Sequence, residues 1–79
     1  MECFDTEREA CQYAVRMVHD GPWNVYCCQS WRARGADTMF FCDRRSPEVL
    51  DAVAQNIPGL NIYVLSAQDV KRLGEGWEP

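Results

Sequence analysis

The chain has one histidine, one lysine and no Cys-x-x-Cys pair. A tetrahedral zinc site needs four nitrogen or sulfur ligands. Here they would have to be gathered from His19 and the scattered Cys3, Cys11, Cys27, Cys28 and Cys42. Cys27 and Cys28 are adjacent, so a strand sends them to opposite faces. No metal site and no cofactor is expected. Cys11, Cys27 and Cys42 read as small apolar fillers, and the odd cysteine count argues against a disulfide framework. A glycine-rich phosphate loop is missing too, since Arg34-Gly35 stands alone. No nucleophile motif surrounds His19, which falls in the last turn of an expected helix, where a cationic imidazole is favoured. The carboxylate pairs Asp5/Glu9 and Asp37/Asp43 are explained more simply as dipole partners and solvated surface. No catalytic residue is therefore assigned, and the expectation is a protein that is not an enzyme. No apolar run approaches the ~20 residues of a membrane span. The opening MECFDTERE is acidic and lacks the cationic start of a secretory leader. A cytoplasmic protein is expected.

What is present suits one small folded domain over residues 1–79, with 47% apolar residues. A domain of this size buries only about 60% of its unfolded surface, so a partner or second copy would add stability. The net charge of −4 is unevenly spread. Residues 1–20 carry −3, residues 46–79 carry −3, and residues 32–45 carry +2 through Arg32, Arg34, Arg44 and Arg45. An acidic body with one basic hairpin disfavours nucleic acid, because phosphate binding needs a cationic surface. It suits docking on a basic protein surface.

Hydropathy patterning gives an α+β order. Thr6 with Glu9 forms a capping box, and Ala10, Cys11, Ala14, Val15 and Val18 continue at helical spacing, predicting a helix over 6–20 that Gly21-Pro22 ends. Residues 23–31 and 38–43 alternate as a β-hairpin around a polar loop. The expected register pairs Trp31 with Thr38, Cys27 with Cys42 and Cys28 with Phe41. Ser46-Pro47-Glu48 starts a second helix over 47–57, with Val49, Leu50, Val53 and Ile57 as its apolar stripe. Residues 60–65 read as a short buried strand. Ser66 and Asp69 cap a short helix over 67–73, with Leu65 stapled to Val70 and Gly74 at its end. The layout is two-layered, with the 6–20 and 47–57 helices on one sheet face. A brief strand at Glu2–Phe4 would give the ferredoxin-like order β-α-β-β-α-β.

The hairpin invites comparison with an RNA-binding platform, whose third strand carries basic, glycine and aromatic residues that stack on bases. In Arg34-Gly35-Ala36-Asp37-Thr38-Met39-Phe40-Phe41 only Arg34, Gly35 and Phe41 match that pattern. A nucleic-acid-binding module using the aromatic and arginine residues of the hairpin is the alternative reading. The aromatic surplus points elsewhere: Trp23, Tyr26, Trp31, Phe40, Phe41 and Trp77 exceed what so small a core can hold, and exposed tryptophans and tyrosines beside arginine are typical interface anchors. A dimer through the uncovered sheet face is the expected assembly.

In size, acidity and compact α+β pattern the chain resembles the small phage-encoded inhibitors of bacterial defence, anti-CRISPR proteins in particular. That resemblance implies an inhibitor that binds a larger protein or nucleoprotein complex and places acidic surface over a basic, nucleic-acid-binding site. The partner-binding residues expected on this reading are the acids at the helix starts, Glu7, Glu9, Glu48 and Asp51, together with Trp31 and Trp77.

Overall fold

The computed structural model of the chain describes residues 2–17, 21–32 and 35–75, with side chains at all of these except positions 31, 32, 35 and 36. The order is β1 (Glu2–Phe4), α1 (Glu7–Arg16), β2 (Asn24–Arg32), β3 (Gly35–Asp43), α2 (Pro47–Gln55), β4 (Leu60–Val64) and α3 (Ala67–Glu75). The expected α+β class is found, and the short leading strand forms. The helix read over 6–20 reaches Arg16 with Met17 as its C-cap, and positions 18–20, with His19, lie outside the described residues.

Local chemistry explains the helix starts. The Glu9 N–H donates to Thr6 Oγ1 at 3.2 Å, and the Thr6 hydroxyl donates to Glu9 Oε1 at 2.8 Å. The Asp69 N–H donates to Ser66 Oγ at 3.1 Å, so Ser66 caps α3. Ser46 holds the N-cap position of α2 but its side chain makes no capping bond. There Pro47 sets the first helical φ instead.

The strands form one antiparallel sheet in the order β1-β3-β2-β4. The hairpin register differs from the expected one by two residues. Trp31 lies opposite Ala36, Cys27 opposite Phe40 and Cys28 opposite Met39. The ladder closes at Arg32–Gly35, so the connection is shorter than the polar loop the composition suggested. A slip of two preserves every side chain's face, so Cys27 and Cys42 still share one side.

Strand order also decides the layering. β1 and β2 are parallel with β3 between them, and β3 and β4 are parallel with β2 between them. Both crossovers step the same way along the sheet but leave from strands of opposite direction. Right-handed connections then require helices on opposite faces. The packing agrees: Ala10, Cys11 and Ala14 of α1 meet Val25 and Cys42, joined by Leu65, Val70 and Leu73. Leu50 of α2 meets Tyr26 and Phe41 on the other side. The two-layer expectation, with both long helices on one face, is thus corrected to three layers, with α1 and α3 on one face and α2 on the other.

Candidate interaction surface

Exposed acidic and apolar side chains meet on α2. Its first turn carries Glu48, and Asp51 follows one turn later; both are exposed, and no basic residue stands in the last turn. Of the expected apolar stripe only Leu50 is buried, at 3% exposure, while Val49, Val53 and Ile57 remain 38–46% exposed. One helix lying alone on a sheet face has no neighbour to cover its flanks, which is why the stripe stays open.

α2 is anchored by a polar corner. The Arg45 guanidinium forks onto Asp43, with Nη2 to Oδ2 at 2.7 Å and Nε to Oδ1 at 3.1 Å. The Arg45 backbone N–H also donates to Asp43 Oδ1 at 2.9 Å. The Tyr26 hydroxyl and the Asn24 amide both donate to the Arg45 carbonyl, at 2.6 and 3.3 Å. The Arg45 side-chain bonds hold the buried Asp43 carboxyl down at about 2, against the opposing effect of burial.

The hairpin arginines are partly spoken for. Arg45 is in this fork, and the Arg44 guanidinium lies 4.7 Å from the centre of the Trp23 ring. Trp23 in turn packs edge-on against Tyr13, which contacts Phe4. Tyr26 and Phe41, stacked at 5.1 Å, are buried at 1% and 4% exposure. These aromatics serve as core beneath α2, so they offer no open stacking platform. Arg34 and Trp77 lie outside the described residues, as do the side chains of Arg32 and Trp31.

The four expected acids do not share one surface. Glu7 and Glu9 are exposed in the first turn of α1, and Glu48 and Asp51 are exposed on α2. The two helices lie on opposite faces and follow strands of opposite direction, so their acidic first turns point to different ends of the sheet.

Four of the five thiols, those of Cys11, Cys27, Cys28 and Cys42, are held toward their protonated form. Burial, reinforced by Glu7 and Asp69, pushes Cys11 up to about 11. Burial, reinforced by the neighbouring Cys11, pushes Cys42 up to about 12, and its Sγ–H donates to the Ala10 carbonyl at 3.1 Å. Burial raises Cys27 and Cys28 as well. A nucleophilic cysteine needs the opposite shift. Cys11 and Cys42 are the apolar fillers expected, both fully buried, whereas Cys27 is half-buried.

An open cleft of about 270 Å³ lies between α1, α3 and the start of β2, lined by Val15, Trp23, Leu65, Val70 and Lys71. The buried Trp23 Nε1 has no hydrogen-bond partner among the described residues. Among the described residues no group of three or more His, Cys, Asp or Glu side chains is placed to hold a metal ion. No described helix is long and apolar enough to cross a membrane.

One exposed feature was misread from sequence. Residues 60–65 read as a buried strand, but β4 sits at the sheet edge, with Tyr63 54% and Val64 44% exposed. Edge and central strands share the same composition when apolar, so only the sheet order separates them. Comparison with protein-family models, curated proteins and solved structures finds no match.

Proposed function

We propose that this chain is a non-enzymatic binding protein that inhibits or modulates a larger protein complex through the outer surface of α2. The observation that carries this reading is the pairing on one helix of exposed Glu48 and Asp51 with exposed Val49 and Val53, without a cation in the last turn, and with exposed Ile57 just beyond its C-cap. Apolar anchors flanked by charge of one sign fit a partner groove with an apolar floor and a basic rim. The anti-CRISPR-type reading is the specific form of this proposal: the rim belongs to a nucleic-acid-binding site, which the acidic helix occupies in place of phosphates.

The test is capture of a defined complex from host lysate, followed by quantitative binding. Charge reversal at Glu48 and Asp51 should weaken the complex at least about tenfold, with strong salt dependence in the parent. Single-stranded RNA should compete for the captured site. Unchanged affinity in the reversed variant would remove α2 from the interface. The same reversal at Glu7 and Glu9 tests the α1 end separately.

A further inference from the structure

The outer edge of β4 combines backbone groups unpaired among the described residues with a sequence that carries no charge. β4 ends the sheet order, so one side of its backbone meets β2 and the other faces outward. The phase is fixed by the Leu65 N–H, which donates to the Val25 carbonyl at 2.8 Å. In an antiparallel ladder hydrogen-bonded pairs alternate with non-bonded ones. Asn61 and Tyr63 therefore turn their N–H and C=O groups toward β2, as Leu65 does, while Leu60, Ile62 and Val64 turn theirs outward. The Leu60 N–H is taken by the Ile57 carbonyl at 3.2 Å. That leaves the N–H and C=O of Ile62 and Val64, and the Leu60 carbonyl, on the edge.

We infer that two copies of this chain join through antiparallel β4–β4 pairing, on a two-fold axis centred on Ile62, forming one continuous sheet. The strand Leu60-Asn61-Ile62-Tyr63-Val64 is its own complement. With Ile62 opposite Ile62 of the second copy, Leu60 meets Val64 and Asn61 meets Tyr63. The outward groups then match: each Ile62 N–H meets the other copy's Ile62 carbonyl, and each Val64 N–H meets the other copy's Leu60 carbonyl. On the α2 side of the sheet the paired strands form an unbroken aliphatic row of Leu60, Ile62 and Val64. Tyr63, now 54% exposed, gains a neighbour across the junction on the other side.

Charge selects a second copy over another occupant. Two chains of net charge −4 repel, so they can meet only where acids are not brought face to face. β4 carries no charged residue, and Asp51 and Asp69 are the nearest charges along the chain. Protein edges are ordinarily guarded by charge, bulges or extreme shortness. The opposite edge follows that rule, with the three-residue β1 and its exposed Glu2. β4 has five residues and no such guard. An isologous pair of this kind closes on itself and does not propagate. It goes beyond the proposed binding role by presenting two α2 surfaces on the same side of one sheet.

The experiment measures the mass of the full chain by sedimentation over a concentration series, beside Val64→Lys, Val64→Pro and Tyr63→Lys. Val64→Pro removes a donor that has no partner among the described residues of one copy, and Tyr63→Lys alters a mostly exposed side chain, so a folding failure in one variant leaves the others decisive. The expected result is a concentration-dependent dimer in the parent and at least about tenfold weaker association in each folded variant. Hydrogen exchange should show the Ile62 and Val64 amides protected in the parent and released in the variants. A parent that stays monomeric at every concentration overturns the inference. So does a dimer that survives the edge variants, or one that Val53→Lys dissolves while they leave it intact.

Discussion

The two faces of the sheet are built differently. Under α1 and α3 the buried residues are small: Ala10, Cys11, Ala14, Val25 and Cys42. Under α2 they are large and few: Tyr26, Phe41 and Leu50. Four strands at about 4.8 Å spacing make a sheet roughly 19 Å wide, and a helix with its side chains covers about 10 Å. Two helices fill one face and one helix fills half of the other. Small side chains let α1 and α3 approach the sheet and each other closely. The thin face compensates with large aromatics and the Asp43–Arg45 corner, and it leaves Met39, Val49, Val53 and Ile57 in solvent. One face is thus well filled, and the other keeps apolar side chains in solvent.

Leu50→Ala should break this comparison most strongly, because Leu50 is the single buried residue of α2. Truncating a buried leucine costs about 2–5 kcal/mol. The expected loss is toward the lower half of that range, since a half-covered face can partly collapse. Two cysteines report each face separately. Cys28 packs against the Leu50 cluster, and Cys42 lies in the other core. Thiol labelling of the native variant should accelerate at Cys28 and stay slow at Cys42. Equal acceleration at both would mean that the faces unfold together and that the comparison fails.

The well-filled face is probed by Gly74→Ala. A Cβ at Gly74 would stand 2.6 Å from Val15 Cγ2 and 2.7 Å from the Cys11 carbonyl oxygen, which is backbone and cannot rotate aside. Alanine normally favours a helix by up to about 1 kcal/mol over glycine. Here overpacking should win, with a net loss of about 1–2 kcal/mol in denaturant unfolding. A stabilised variant would show that α1 and α3 pack more loosely than this geometry.

Much of this contrast could not be read from the sequence, for identifiable reasons. Caps and periodicity are local, so Thr6, Glu9 and Ser66 announced their helices and every element appeared close to its expected place. Which face a helix takes depends on strand order, and strand order depends on contacts far apart in the chain. Nothing in Pro47–Gln55 says whether β4 pairs with β1 or β2. Gly74 shows the same limit: it read as the end of α3, yet the helix runs to Glu75 and the glycine is there for close approach to α1. The acids Glu48 and Asp51 were legible as helix-start residues. Their pairing with exposed Val49 and Val53 became visible only once α2 was found alone on its face.

The smallest expected effect concerns pH, and it separates polar anchoring from packing. Asp43 anchors the approach to α2 through Arg45, and that pairing holds its carboxyl at about 2, against about 3.9 when unfolded. A depressed carboxyl contributes stability that is fully present above the unfolded value. That contribution is lost as pH falls from about 4 through 2, where the folded state must also take up the proton. One pKa unit corresponds to about 1.4 kcal/mol, and the Arg45 side chain is 50% exposed, so solvent screening reduces the contribution to about 1–2 kcal/mol. Other carboxylates titrate in the same window, so the informative quantity is the difference between the parent and Asp43→Asn. Asparagine never carries the charge, and the variant should show a shallower loss between pH 4 and 2 while being weaker at neutral pH. In the parent, acid should expose Cys28 before Cys42, because the corner holds only the α2 face. Parallel pH profiles for the two proteins would mean that Asp43 contributes little. Leu50 would then be the principal anchor of the thin face.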